Sequence, residues 1–88
     1  MSDFVISPKA AEITLPTTAN TVNGASLVRL LNTNATTARV ITKKDTGGTT
    51  LGTITIQFGQ DMIIYKSPSD TIQVDTGTDV KAVSIAFR

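Results

Sequence analysis

Apolar residues along this chain fall in short runs with a period of two, cut by glycine, proline, asparagine and aspartate. The clearest run is Thr50–Phe58, where Ile54, Ile56 and Phe58 occupy one face and Thr53, Thr55 and Gln57 the other, the alternation of a half-buried strand. It lies in the middle of Thr37–Lys66, which reads as a β-meander. Thr37–Lys43 and Thr50–Phe58 flank a turn at Asp45-Thr46-Gly47-Gly48, and Met62–Lys66 follows a second turn at Gly59-Gln60-Asp61. Gly47 is the simplest residue to take the left-handed conformation that closes the first turn.

Outside the meander the same signals recur. Phe4-Val5-Ile6 is stopped by Ser7-Pro8, because proline donates nothing to a ladder and forces its predecessor into extended geometry. Residues 1–7 therefore form an edge strand or an extended arm. Glu12–Leu15 alternates up to Pro16, Asn23-Gly24 turns the chain into Ser26–Leu31, and Ser67-Pro68-Ser69-Asp70 precedes Thr71–Val74. The last run is Val80–Phe87. Eight short strands at this spacing, with no helical periodicity beyond about two turns, predict one all-β domain: an antiparallel sandwich, jelly-roll or immunoglobulin-like. Alternation places Ile13, Leu15, Val28, Leu30, Val40, Ile54, Ile56, Phe58, Ile72, Val74, Val83, Ile85 and Phe87 in its core, with Ile63 or Ile64 pointing inward beside them.

Composition narrows the function. Eighty-eight residues are close to the size at which a single core barely suffices, so partners are expected. Eight basic and seven acidic residues leave a net charge of +1, too weak a field for phosphate neutralisation, and nucleic acid is not expected as a ligand. The chain has neither cysteine nor histidine, which removes thiolate metal sites, the usual general base and most enzyme chemistry. Sixteen threonines suit pleated, half-exposed surfaces. Met1-Ser2-Asp3 begins no basic-then-apolar segment, so synthesis in the cytoplasm without a signal peptide, and no membrane, is the expectation.

Four local patterns invite a chemical reading. Asp-Thr-Gly occurs twice, at Asp45-Thr46-Gly47 and Asp75-Thr76-Gly77, and resembles the aspartic-protease triplet. The rest of that family's pattern is missing, and aspartate with glycine is ordinary turn chemistry. Asp70, Asp75 and Asp79 lack the dense spacing of a calcium loop, and no metal or cofactor is expected. Arg39, Lys43 and Lys44 make a basic spot whose simpler role is to protect a strand edge from aggregation. Asn34-Ala35-Thr36 fits a glycosylation acceptor, which has little meaning without secretion. No tryptophan is present as a sugar platform, and Phe4, Phe58, Tyr65 and Phe87 are assigned to the core.

The runs L-V-R-L-L-N-T-N-A-T-T-A-R-V-I-T, G-G-T-T-L-G-T-I-T-I and G-Q-D-M-I-I-Y-K-S-P-S-D-T-I-Q-V, closing on V-K-A-V-S-I-A-F, cover most of the chain. They resemble small virion-associated β proteins of tailed bacteriophages, particularly phages of marine bacteria and cyanobacteria, with Ile63–Ile72 the most distinctive piece. The resemblance implies a capsid decoration or cement protein, or a subunit of a head fibre, neck or tail. It implies no catalytic residues, a place in the virion, other virion proteins such as the major capsid protein as partners, and homo-oligomers. A glycan- or host-surface-binding module on the same particle is the alternative.

The contact surfaces expected from the residues themselves are three. Leu27–Leu31 is apolar on both faces, with Leu27 and Leu31 available to a partner and Arg29 at the rim. Ala82, Ser84 and Ala86 form a smooth strip behind the last strand. Phe4, Val5 and Ile6 are placed to add as a strand to a neighbour's sheet edge, or to pair within their own subunit.

Overall fold

The computed structural model describes residues 6–87, the last of these by its backbone alone. It is all-β. Its strands are β1 (Ile6–Pro8), β2 (Ile13–Thr14), β3 (Leu27–Asn32), β4 (Arg39–Lys44), β5 (Thr50–Ile56), β6 (Asp61–Tyr65), β7 (Thr71–Val74) and β8 (Val80–Phe87). One sheet has the order β1-β8-β3-β6, with β2 also on β8, and the other has the order β5-β4-β7; every pairing is antiparallel. An immunoglobulin sandwich pairs several strands with their sequence neighbours. Here β4 and β5 are the one consecutive pair among the described strands, and the order 1-8-3-6 facing 7-4-5 is that of a jelly roll.

The remaining jelly-roll position, beside β7, is held by irregular chain. Leu15 N–H bonds to Val80 O on the first sheet, then Val74 N–H bonds to Pro16 O, and Asn20 and Ile72 exchange both backbone bonds on the second. Residues 13–20 thus run from one sheet to the other and seal that side of the sandwich. Pro16 sits inside the stretch, where no long ladder is required.

On the opposite side the meander does not close. The β4–β5 hairpin forms, but β5 and β6 belong to different sheets, and Gln57–Gln60 is an arch across the sandwich edge. Gln60 N–H bonds to Gln57 O, the Gln60 side chain accepts Gln57 N–H, and Gly59 N–H and Gln60 O bond to Asn32 of β3. These bonds fix the chain to the other sheet, in place of a hairpin with β5.

The core lies between the sheets. Leu15, Val28, Leu30, Val80 and Ala82 meet Ile41, Ile56, Ile72 and Val74, with Val22 and Ala25 closing one end and Ile13, Met62 and Ile64 packed against its border. Of the expected core, Leu15, Val28, Leu30, Ile56, Ile72 and Val74 lie between the sheets and Ile13 at their border, and the Phe87 side chain lies outside the described residues. Ile64, not Ile63, is the inward residue of β6. In β4 the inward residue is Ile41 and Val40 is only half-buried, since two adjacent β-branched residues give no alternation to set the phase. In β8 both faces are apolar. Val80 and Ala82 join the core and Ser84 is buried on their face, while Val83 and Ile85 are buried on the other face, beside Arg29 of β3 and Pro8 of β1.

Two turns carry special backbone. Val22, Asn23 and Gly24 have φ of 51°, 58° and 66°, one left-handed turn in which Val22, a buried β-branched residue, is held against its preference. Asn20 Oδ1 accepts Val22 N–H at 2.7 Å and Ala25 N–H closes back on Val22 O at 3.2 Å, so the turn is fixed at both ends. In the β4–β5 turn the left-handed residue is Gly48, not Gly47. Gly48 N–H bonds to Asp45 O, and Asp45 and Thr49 are joined in both directions, which puts the positive φ one residue later.

Lys66, directly after β6, is fully buried, with its Nζ 3.4 Å from the carbonyl oxygens of Ser67 and Pro68. Burial pushes its amine below the usual lysine value and Asp70 offsets part of that. A charge held this way costs stability below the lowered folded value, and the cost is relieved as pH rises through the interval up to the unfolded value. Lys66→Met is therefore expected to be no less stable than the parent, and to lose the parent's gain in urea midpoint with pH in that alkaline interval.

Candidate interaction surface

The acidic and amide groups of the chemical patterns in the sequence are engaged in hydrogen bonds of the turns and loops. Asp45 Oδ1 accepts Thr49 N–H within its turn, and Asp75 Oδ1 accepts Val40 and Thr76 N–H, so both Asp-Thr-Gly triplets build turns. Asp70 accepts Ser67 N–H. Asp79 receives a two-point contact from Arg39, Nε to Oδ1 and Nη2 to Oδ2 at 3.1 Å each, and the Asn34 amide donates to Oδ2 at 2.6 Å. Asn34 Oδ1 in turn accepts Thr36 and Thr37 N–H, making the glycosylation-like triplet the pin of the β3–β4 loop. Asn32, buried at the end of β3, donates to Thr37 O and to Ile56 O of the opposite sheet and accepts Asn34 N–H. Asn32 and Lys66 continue the inward phase of Val28–Leu30 and of Met62–Ile64, but as polar residues at strand ends they gave no apolar signal of burial.

Arg39, then Asn34, hold the Asp79 carboxyl at about 2, below the ordinary aspartate range. A depressed folded value contributes stability that is complete above the unfolded pKa, about 3.9, and lost as pH falls through about 2. Urea midpoints are expected to fall between these pH values in the parent, with a smaller acid dependence in Asp79→Asn.

The residues named as contacts are divided by the sheets. Ile6 is in β1, paired to Phe87 of its own chain and partly exposed, while Phe4 and Val5 lie outside the described residues. Leu27, Arg29 and Leu31 are half-buried on the outward face of β3, where Arg29 bonds Asp61 at 3.1 Å. Ala86 is half-buried. Ala82 and Ser84 do not form an outward strip: they are buried on the core-facing side of β8, where small side chains let the edge segment and the second sheet approach.

A different surface collects the exposed large apolar residues of the described chain other than Ile6. Leu51 is 50% exposed, Ile54 46%, Phe58 51% and Tyr65 65%, which corrects the core assignment of Ile54, Phe58 and Tyr65. All four lie along β5, the arch and β6. Ile54 has the inward phase of Ile56 and pairs with Ile41, but β5 overhangs the other sheet there, so nothing covers it. Between β5 and β6 the sandwich opens into a cleft of about 280 Å³, lined by Ile41, Leu51, Ile54, Ile64 and Tyr65, with Lys43 beside them. Arg39 shares that face of β4 but is committed to Asp79, and Lys44 points to the opposite face, so the three cations form no common patch.

Backbone polarity completes this surface. Val40 O accepts Asp75 N–H on the β7 side, so the alternate residues Ile41 and Lys43 face β5, and on β5 Gly52, Ile54 and Ile56 answer them. Thr53 and Thr55 therefore turn both N–H and C=O to the open edge. Lys66 N–H to Ser26 O and Asn32 N–H to Gln60 O fix the phase of β6 likewise, leaving Ile63 and Tyr65 facing its open edge.

No family model, no curated protein and no solved structure matches this chain.

Proposed function

We propose that this chain is a structural subunit of a bacteriophage virion, a capsid decoration, cement or head-fibre component that works by docking and not by catalysis. The observation that carries the proposal is the side formed by β5 and β6, where two strand edges with free backbone groups flank an apolar cleft. Such edges are normally covered, charged, bulged or broken by proline in a protein that works alone, whereas here the bulge is confined to the start of β5 and the charge to Asp61 at the start of β6. The resemblance of Ile63–Ile72 and the flanking runs to tailed-phage virion proteins supports the same reading, and the jelly roll is a frame used by capsid domains, although a frame does not by itself specify a role. The proposed partners are the major capsid protein and further copies of this chain.

A glycan-binding module on the virion is the second reading, favoured by the exposed rings of Tyr65 and Phe58, which offer stacking surfaces. One comparison separates the two. Purified protein is mixed with tailed-phage capsids lacking decoration and centrifuged through a gradient, and it is also applied to a glycan array. Comigration with capsids that is lost in Leu51→Lys supports the structural role. Array binding that is lost in Tyr65→Ala, without comigration, supports the glycan role and contradicts the first.

A further inference from the structure

We propose that β5 is completed by β5 of a second copy, antiparallel about a two-fold axis through Ile54, joining the two three-stranded sheets into one six-stranded sheet. The inference rests on the reading that the β5–β6 side is a docking surface and names the occupant of its β5 edge.

Three observations select a second copy. First, Thr50–Ile56 contains no charge and no proline over its whole length, so two copies approach without repulsion. Its single irregularity is a bulge at the start, where Lys43 faces Gly52 and Lys44 faces Thr50, leaving Leu51 as the extra residue and Gly52–Ile56 in regular register. By contrast β6 begins at Asp61, whose carboxylate holds Arg29 at the rim of its sheet.

Second, the edge is self-complementary. Thr53 and Thr55 are the residues whose N–H and C=O face outward, and they are separated by one residue. A two-fold pairing centred on Ile54 sets Thr53 opposite Thr55 of the partner subunit and Thr55 opposite Thr53 of the partner subunit. Both are hydrogen-bonded pairs, giving four ladder bonds in the dimer. Ile54 then meets Ile54 of the partner subunit as a close, non-hydrogen-bonded pair on the cleft side, and threonine meets threonine on the outer face.

Third, the contact covers what is exposed. Ile54 and Leu51 at the cleft mouth are removed from water by the partner's strand and its overhang. With the strand edges this amounts to on the order of 500 Å² per copy, at the low end of specific interfaces, so the dimer dissociates on dilution.

The test uses the absence of cysteine in the chain. Sedimentation of the parent over a wide concentration range is expected to show a reversible monomer–dimer equilibrium. Ile54→Cys, which places two thiols at the close pair, is expected to oxidise to a covalent dimer with the parent's circular dichroism spectrum. Gln57→Cys is the control: in this register Gln57 lies opposite Leu51 of the partner subunit and the two copies of residue 57 are about 20 Å apart, so it stays uncrosslinked. Ile54→Lys is expected to fold as a monomer. Thr53→Pro, which removes an edge-facing N–H and no β4 bond, is expected to do the same if Ile54→Lys fails to fold. A parent that stays monomeric throughout, or a Gln57→Cys chain that crosslinks as fast as Ile54→Cys, overturns the dimer. A monomer that still comigrates with capsids refutes the dimer and leaves the virion role standing; a dimer that binds no capsid does the reverse.

Discussion

Ile56→Ala is expected to lower stability by about 2–5 kcal/mol, a large share of what a domain of this size holds. Ile56 is the fully buried end of β5, packed in the core shared by both sheets, and its carbonyl accepts the Asn32 side chain, so truncation leaves a void where β5 is tied to the facing sheet. Phe58→Ala, two residues on, is expected to cost about 1 kcal/mol or less, because half of that ring is already in water at the arch. Urea unfolding of the two variants side by side measures the difference. Equal losses would mean that Phe58 is part of the core and that the arch is packed differently.

Gly77→Ala is expected to cost about 1–3 kcal/mol, a large effect for a change in a turn. Gly77 has a φ of 90°, a conformation side chains avoid, and a methyl group there would lie 2.9 Å from Arg39 Nη2 and 3.1 Å from Asp79 Oδ1. The substitution thus adds backbone strain and also pushes apart the ion pair that joins the β4 strand to the β7–β8 turn. A distinguishing readout follows: part of the loss should disappear in an Asp79→Asn background, where there is no ion pair left to disturb. Gly48→Ala, with a similar φ of 89° but open space around it, is expected to show the strain without the coupling to Asp79.

The strands themselves were legible, and for a simple reason: threonine and β-branched residues in period two, cut by Gly, Pro, Asn and Asp, describe pleated ribbons whatever they pack against. What the pattern did not contain was coverage. In β5 the phase Ile54–Ile56 is as read, yet only Ile56 is buried, since the facing sheet reaches one and not the other. The Gly59-Gln60-Asp61 turn has the composition of a hairpin, but the Gln57–Gln60 bonds and the anchorage to Asn32 turn it into an arch, a long-range outcome that no local signal encodes. In Val40-Ile41 and in β8 the apolar residues are adjacent, so either phase satisfied the sequence and packing made the choice. The outward placement of Ala82 and Ser84 failed for the same reason. Ala82 and Ser84 looked smooth enough to dock, but small residues are also what a tight core needs, and the exposed residues instead gathered where two sheets end without a neighbour.

Amide hydrogen exchange followed by NMR tests the open β5 edge directly. In dilute, monomeric protein the amides of Ile54 and Ile56, bonded to β4, are expected to be protected, while those of Thr53 and Thr55 exchange rapidly. On raising the concentration, or on adding capsids, Thr53 and Thr55 are expected to become protected. Protection of Thr53 and Thr55 already in the monomer, or their continued rapid exchange in the assembled state, would contradict it.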